Sequence, residues 1–417
     1  MFSRREWLGL SLGAGAWLAL APARLRALQA SGGTLIQRAI PSSGEMLPVI
    51  GLGRGNDTVD PAGFRDVLRT LVDNGGRVVD TVHDTSGVGE QLAATTANEL
   101  GIQDRIFWSL RGTPSGLALP GSAGLRAHLE TSFARLKVAA IDLVQVHVSA
   151  DSTHLALLQG LKEEGRVRYI GVQAGFDHQL AQLESLMRSE PLDFVGVRYA
   201  ADQRKVEETI LPLARERKIG VLAYFPFGGN VGPGDVVSSS LFRRVGTTPL
   251  PEWAAELDAT TWGQFFLKYI ISHPAVTVVR AGTSQAKHML DNVGGGIGRL
   301  PDEATRQRMA ALVDALPPDP GPGAPPQKPA VELTADVLDR YVGEYEAASG
   351  FTMVFRRDGA TLYVKPGSNP EGPVVAHSET HFSDPRGPGI EFQLDERKQV
   401  TGLILVQGSQ RIPLERK

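Results

Sequence analysis

The stretch that decides the fold is residues 141–173. It begins with Ile141-Asp-Leu-Val-Gln-Val146 and ends with Val167-Arg-Tyr-Ile-Gly-Val-Gln173, and between these two runs apolar residues recur at helical spacing over residues 155–161. Both flanking runs are short, largely apolar and rich in β-branched residues. This pattern is typical of parallel strands that are covered on both faces. A strand, a helix and a second strand therefore follow one another here, and the same order recurs along most of the chain.

Eight strand candidates of this kind precede residue 315. They are residues 47–52, 78–81, 106–110, 141–146, 167–173, 194–199, 219–225 and 275–281. Apolar residues at helical spacing lie between them, as in 64–72, 125–136 and 210–214. Eight strand–helix units over roughly 250 residues predict an α/β fold, a (β/α)8 TIM barrel. A pair of short strands at 34–39 and 46–50, with a turn at 41–44, predicts a hairpin below the barrel.

A doubly wound open sheet is the competing α/β fold. Such a sheet is expected to carry a Gly-x-Gly-x-x-Gly turn that opens a helix. Gly51-Leu-Gly53-Arg-Gly55 lacks the third glycine in register, and the next helix begins late, at Pro61. The barrel is therefore the favoured fold.

The last hundred residues have a different pattern. Residues 316–330 are rich in proline and glycine, which predicts a semi-stiff linker between a barrel at 31–315 and a second domain at 331–417. A short helix is expected within 331–345, followed by six strands. Those strands are residues 352–355, 361–364, 374–377, 389–394, 402–406 and 410–414. Their spacing predicts a small C-terminal antiparallel β domain, in sheet or barrel form.

The first thirty residues have the features of an export signal. Ser3-Arg4-Arg5-Glu6-Trp7 precedes an apolar stretch at 8–21 that is short for a membrane span, and small residues at 19, 21 and 23 offer cleavage sites. This is similar to a twin-arginine signal, and it implies the twin-arginine export machinery as a partner and the periplasm as the destination. An uncleaved, membrane-associated N-terminus is the alternative.

Composition excludes several classes of site. The chain has no cysteine, which excludes disulfides and thiolate metal sites. Its net charge of −3 does not indicate the basic surface that binds nucleic acid. His377 and His381 lie four residues apart, but their Ser, Thr and Asp neighbours favour solvated loop histidines over a metal pair. No metal site is predicted.

Several motifs at the predicted strand ends resemble the aldo/keto reductase family. They are Asp80-Thr81, Asp142 to His147, Gly165-Arg-Val-Arg-Tyr-Ile-Gly-Val172, residues 211–228, Gly282-Thr-Ser284 and Asp291-Asn292. The resemblance extends over residues 34–315. It implies a (β/α)8 barrel with a hairpin at its bottom, and hydride transfer between NADP(H) and a small-molecule carbonyl or alcohol. The C-terminal segment, which opens with Tyr341-Val-Gly-Glu-Tyr345, resembles lipocalin-like accessory domains of secreted hydrolases.

The resemblance also implies a catalytic set with two replacements. Asp80 and His147 match the family, whereas Ser86, or Thr85 in the other alignment, stands where the proton-donating tyrosine is expected, and Arg111 replaces the lysine. A hydroxyl is a far poorer acid than a phenol, which an adjacent ammonium can tune towards neutrality. Arg111 is expected to form a bidentate pair with Asp80.

Another group must then supply the proton. His147 is the natural candidate, because imidazole titrates near neutral pH, and its alternative role is that of a core histidine satisfied by its neighbours. His83 and Asp84 lie in the lengthened loop that follows Asp80 and are further candidates.

The cofactor positions that the resemblance implies match the family only in part. Tyr224 matches the residue that stacks on the nicotinamide, and Ser284, His288 and Asn292 match the adenosine positions. The side chains that hold the carboxamide are replaced by Gln173-Ala174 and Gly196.

Three functions remain open from the sequence. The first is an exported NADP(H)-dependent oxidoreductase with an atypical tetrad. The second is a catalytically lapsed barrel that binds a small molecule or a protein. The third is different carbonyl or sugar chemistry that reuses His147 and Asp80. Fold alone does not choose among them. The C-terminal domain is expected to contact a partner or ligand.

Overall fold

The computed structural model describes residues 33–53, 60–83, 87–112, 121–150, 152–229, 240–319, 331–347, 351–367, 371–383, 389–395, 399–407 and 410–417. These residues form two compact units, one that ends at Asp319 and one that begins at Val331. The predicted signal at 1–30 lies outside the described residues. Each unit is considered by itself.

The first unit is a closed barrel of eight parallel strands, as the sequence predicts. A hairpin of β1 (Gln37–Ala39) and β2 (Met46–Pro48) precedes it. The barrel strands are β3 (Ile50–Gly53), β4 (Val78–His83), β5 (Phe107–Gly112), β6 (Ile141–His147), β7 (Val167–Ala174), β8 (Phe194–Arg198), β9 (Gly220–Tyr224) and β10 (Val276–Gly282). Each strand pairs with the next in chain order, and β10 closes the barrel on β3.

Helices connect and cover the strands. They are α1 (Pro61–Asp73), α2 (Val88–Glu99), α3 (Gly121–Leu136), α4 (Ser152–Glu163), α5 (Leu180–Ser189), α6 (Ile210–Glu216), α7 (Ser240–Val245), α8 (Trp262–Ser272), α9 (Ala286–Gly295) and α10 (Glu303–Asp314). Helix α1 begins where Asp60 accepts a hydrogen bond from the amide of Gly63 and where Pro61 needs no donor. Among the described residues, no helix is both long enough and apolar enough to cross a membrane.

The barrel interior is arranged in layers because successive residues of a strand face opposite sides. The lower layer is apolar and contains side chains such as Phe107, Leu143, Phe194 and Leu222. Two residues further along the strands the inward side chains become polar, beginning with Asp80 on β4. The alternation therefore carries a set of polar groups towards the C-terminal ends of the strands, where barrels of this type bind ligands.

The barrel unit extends into the segment that the sequence assigns to the linker. Arg244 donates to the carbonyl oxygens of Leu316 and Pro317, and Arg243 forms an ion pair with Asp319. Residues 316–319 therefore belong with the barrel. The rest of the linker, 320–330, lies outside the described residues.

The second unit is a closed antiparallel barrel, which confirms the predicted β domain. After α11 (Ala335–Leu338) its strands are β11 (Gly343–Ala347), β12 (Thr352–Asp358), β13 (Thr361–Pro366), β14 (Gly372–Ala376), β15 (His381–Ser383), β16 (Gly389–Leu394), β17 (Val400–Gln407) and β18 (Gln410–Arg416). Neighbours in the chain pair, and β18 returns to β11. Contacting aromatic rings fill its core, namely Tyr341, Tyr345, Phe355, Phe382 and Phe392.

The short helix lies within its predicted range, whereas two strands of this domain, β11 and β15, were not predicted. Helix α11 and the turn after it end at Tyr341, and Gly343 begins strand β11 with a φ of 151° that favours glycine. His381 is the first residue of β15, where it pairs with Glu391, and is not in a loop. His377 Nε2 lies 2.7 Å from Ser383 Oγ.

A buried polar network joins α8, α10 and the segment after β8. Arg306 donates to Glu207 (2.9 Å) and to the hydroxyl of Tyr199 (3.0 Å), and Tyr269 also donates to Glu207 (2.9 Å). The edge of His273 packs against Tyr199. Burial, assisted by the positive charge of Arg306, lowers the pKa of His273 to about 4.

This pKa predicts a loss of stability in mild acid. In the unfolded chain His273 takes up its proton near pH 6.5, whereas in the folded protein it stays neutral down to about pH 4. Between these values the unfolded state binds more protons, so the free energy of unfolding decreases as the pH falls. We expect about 1–2 kcal/mol from this group once partial exposure is allowed for. Denaturant unfolding of wild type and His273→Asn at pH 7 and pH 4.5 measures it, and identical pH dependence in the two proteins would contradict it.

Candidate active site

The polar groups of the barrel mouth come from five of the eight barrel strands. Asp80 lies on β4, Arg111 on β5, His147 at the end of β6, Tyr224 at the end of β9 and Arg280 on β10. Four of these were singled out from the sequence, and the closed barrel brings them to one end of its interior. Arg280 was not singled out.

Asp80 is the centre of a buried cluster, which we call the Asp80 cluster: Asp80, Ser109, Arg111 and Arg280. Ser109 donates to Oδ1 of Asp80 at 2.6 Å, and Nε of Arg111 donates to Oδ2 at 3.0 Å. Arg280 also forms an ion pair with Oδ2. The expected bidentate Asp80–Arg111 pair is therefore not formed, because Ser109 occupies one carboxylate oxygen and Arg280 shares the other.

A chain of hydrogen bonds leads from this cluster to Tyr224. Gln145 lies between them, with its Nε2 3.4 Å from Ser109 Oγ and its Oε1 accepting from the Tyr224 hydroxyl at 2.8 Å. The phenol occupies space next to Gly196, since a Cβ at that glycine would lie 2.1 Å from the hydroxyl oxygen. The missing side chain at residue 196 is thus what allows Tyr224 to point into the barrel.

The ring of Tyr224 is covered by the two arginines. The guanidinium carbons of Arg280 and Arg111 lie 4.1 and 5.4 Å from the ring centroid, and the residue is 1% exposed. Burial, with the nearby charge of Asp80, raises the pKa of the phenol well above its usual value. Burial and the charge of Arg280 lower the pKa of Arg111 to about 10, which leaves it charged at neutral pH.

His147 is neutral and fully hydrogen-bonded. Gln179 accepts at Oε1 from the amides of Gly175 and Phe176, so its Nε2 is the group 3.3 Å from Nε2 of His147. Nδ1 lies 2.7 Å from Ser149 Oγ and accepts from the backbone amide of Ser149 at 3.2 Å, so described residues engage both ring nitrogens. Burial lowers the pKa of the imidazole.

The loop that follows β4 contains the remaining predicted donors. Ser86, Thr85 and Asp84 lie outside the described residues, and His83 is described only as the last residue of β4. The role predicted for Ser86 stays a prediction.

The predicted adenosine positions lie around the start of α9. Ser284 and His288 are exposed there, and burial with the charge of Lys287 lowers the pKa of His288. Asn292 is buried, and its Nδ2 makes no hydrogen bond to any described residue. A helix start with exposed polar side chains and an unpaired amide nearby is suited to a phosphate and a polar heterocycle.

Sequence reasoning missed Arg280, Ser109 and Gln145. Arg280 had a visible signal, because a single charged residue interrupts the apolar run Val276-Thr-Val-Val-Arg-Ala281, and a charge in a buried strand requires a partner. Ser109 and Gln145 sit two residues before Arg111 and His147, on the same faces of their strands.

Fold and site together define a (β/α)8-barrel protein with a charged, partly enclosed mouth. Residues 49–311, more than half of the chain, match the aldo/keto reductase family. The chain belongs to this family, and oxidoreductase is the class of activity that membership supports.

Known proteins of the family are distant relatives. The protein of Glycine max named probable aldo-keto reductase 1 is 26% identical over 54% of this chain and 70% of its own length. An aldo-keto reductase of Strobilurus tenacellus is 25% identical over 61% of this chain and 85% of its own length. The solved aldo-keto reductase of Klebsiella pneumoniae in complex with NADPH superposes with a TM-score of 0.53, at 20% identity, over 69% of this chain and 97% of that one. At this identity the structural likeness supports the fold.

Proposed function

We propose that this protein is an exported, NADP(H)-dependent oxidoreductase of a small carbonyl/alcohol pair, with Ser86 and Arg111 at the tyrosine and lysine positions of the family. The observation that carries the proposal is the buried contact of Arg111 with Asp80 at the barrel mouth, 3.0 Å from Nε to Oδ2. Through this contact Asp80 holds the positive charge of Arg111 at the strand end where the family resemblance predicts a lysine.

The adenosine half of NADP(H) fits the residues present. The unpaired Nδ2 of Asn292 and the exposed Ser284 and His288 near the start of α9 offer groups for an adenine and a 2′-phosphate. These three residues are the ones that would hold that half of the molecule.

The nicotinamide half does not fit the arrangement described. The ring of Tyr224 offers no exposed face, and Arg280 lies against it at 4.1 Å. NADP(H), when bound, supplies or accepts the hydride in such a reaction.

The residues of the mouth can nevertheless stabilise charge on a substrate. Arg111 remains cationic at neutral pH, and a fixed cation near a developing alkoxide lowers the energy of the transition state. Ser149 and Gln179 engage both ring nitrogens of His147, so in this arrangement neither nitrogen is available to give a proton to a substrate. Neither His147 nor Tyr224 therefore acts as the donor without rearrangement.

A catalytically lapsed barrel that binds a small molecule or a protein is the second candidate. The specific observation in its favour is the burial of Tyr224 under Arg280, which occupies the expected nicotinamide platform. In the C-terminal barrel, aromatic rings fill the core. A partner of this lipocalin-like domain would therefore contact its outer surface.

Thermal unfolding with NADPH tests the proposal. Ligand that binds only the folded state adds about 2.7 kcal/mol to stability at a hundredfold excess over Kd, so NADPH should raise the midpoint clearly, and more than NADH. Asn292→Ala should reduce the shift, whereas Asn98→Ala, on the exposed face of α2, should leave it unchanged. No shift at millimolar NADPH would overturn the oxidoreductase; a shift without reduction of any carbonyl compound in a broad panel would favour the lapsed barrel.

A further inference from the structure

The Asp80 cluster holds more positive than negative charge. Its one carboxylate faces two guanidinium groups, and the side chains that extend the chain of hydrogen bonds, Ser109 and Gln145, are neutral. His147 is neutral at pH 7. Arg198, at the end of β8, donates to Gln203 and to the carbonyl oxygen of Gly229; burial lowers its pKa, and the charges of Asp177 and Asp202 offset part of that effect. Among the described groups, the cluster therefore carries one uncompensated positive charge.

A buried net charge is unfavourable unless a counter-ion reaches it. Arg111 is the member that a ligand can reach, since its side chain is 13% exposed, compared with 5% for Arg280 and 0% for Asp80. Arg111 donates to Asp80 through Nε alone, and the two terminal nitrogens of Arg111 make no hydrogen bond to a described residue. The planar guanidinium thus presents an edge that matches a carboxylate in two-point contact.

We propose that the barrel mouth binds a carboxylate monoanion on Arg111, with Arg280 supplying the positive charge that Asp80 leaves unbalanced, so that the substrate is a carbonyl or hydroxy compound that carries a carboxylate group. The naming of a substrate rests on the proposed function, whereas the binding itself does not. A carboxylate brings a single negative charge, which equals the excess in the cluster. A phosphate monoester brings about −1.5 to −2 and would reverse the imbalance.

Binding of acetate and of its neutral isostere acetamide to the full chain, without nucleotide, tests the site. Thermal unfolding is followed at constant ionic strength, with sodium chloride replaced stepwise by sodium acetate in one series and acetamide added to sodium chloride in the other. Acetate should raise the midpoint and acetamide should not. Arg111→Met leaves a neutral Asp80–Arg280 pair, and we expect it to weaken acetate binding about tenfold or more, the effect of losing one charge-assisted contact.

Two further variants keep the result interpretable. Arg280→Met leaves a neutral Asp80–Arg111 pair and should also weaken acetate binding. Arg280 is the more buried of the two arginines, so Arg111→Met alone carries the test if Arg280→Met fails to fold. Arg166→Met removes an exposed guanidinium paired with Glu130 on the same barrel and should bind acetate like wild type. Unchanged acetate binding in Arg111→Met would overturn the proposal, as would an equal response to acetamide or no response to acetate in the wild type.

The pH dependence separates this site from an anion site on His147. Guanidinium groups and acetate are both ionised from pH 6 to 9, so binding should be constant over this range. Binding that strengthens as the pH falls would assign the anion to a protonated imidazole and overturn the role of the arginines. Because no nucleotide is present, failure of the NADPH experiment does not alter this outcome, nor does failure here remove nucleotide binding.

Discussion

Asp80→Asn is expected to lower the free energy of unfolding by about 3–5 kcal/mol, the range for a buried charge that loses its partner. The amide keeps the shape and can still accept one hydrogen bond, but it leaves Arg111 and Arg280 facing each other without a counter-charge. Burial and, after it, the charge of Arg280 lower the pKa of Arg111 to about 10, so the two guanidinium groups already disfavour each other's charge. Denaturant unfolding of the two proteins at neutral pH measures the difference.

Two comparisons isolate the electrostatic part of this effect. Ser109→Ala removes the other hydrogen bond to Asp80 and keeps all charges, so it should be destabilising by about 1.5–3 kcal/mol, the range for a hydrogen bond to a charged group. In an Arg111→Met background, Asp80→Asn should have a smaller effect than in wild type, because one guanidinium then remains instead of two. A change of less than about 1 kcal/mol in Asp80→Asn itself would show that another group or solvent balances the arginines, contrary to the charge count above.

The barrel was predictable because its strands have a pattern that depends on local sequence alone. Residues 141–146 and 275–281 are expected as strands, and β6 and β10 occupy Ile141–His147 and Val276–Gly282. A strand buried on both faces needs a continuous apolar run, and each run is separated from the next by helical spacing. Strand β15 lacked this signal, since His381-Phe-Ser383 is short and only Phe382 is buried.

The site was predictable only where a side chain ends a strand. Asp80, Arg111 and His147 could be placed at one mouth because parallel strands end together. Contacts between strands that are distant in the chain could not be foreseen. The pairing of Arg280 with Asp80 spans 200 residues, and the place that Gly196 leaves for Tyr224 depends on how two side chains meet across the barrel.

Gly196→Ala is expected to be strongly destabilising, because the new methyl group would lie 2.1 Å from the Tyr224 hydroxyl and 2.6 Å from Oε1 of Gln145. The phenol is enclosed, so it cannot shift without breaking its hydrogen bond to Gln145 or displacing Arg280. Overpacking of this kind lowers the free energy of unfolding by roughly 1–3 kcal/mol, and loss of the buried hydrogen bond adds about 1 kcal/mol. Denaturant unfolding gives the total.

A double-mutant cycle with Tyr224→Leu tests whether this clash is the cause. Leucine lacks the outer ring atoms and the hydroxyl, so Tyr224→Leu alone loses packing, yet in its presence Gly196→Ala should become nearly neutral. The two changes should therefore couple by at least about 1 kcal/mol, whereas Gly160→Ala, on helix α4 with open space at its Cβ, should be additive with Tyr224→Leu. Additivity of the first pair would mean that the phenol does not occupy the space beside residue 196, and the burial of the expected nicotinamide platform would then have to be abandoned.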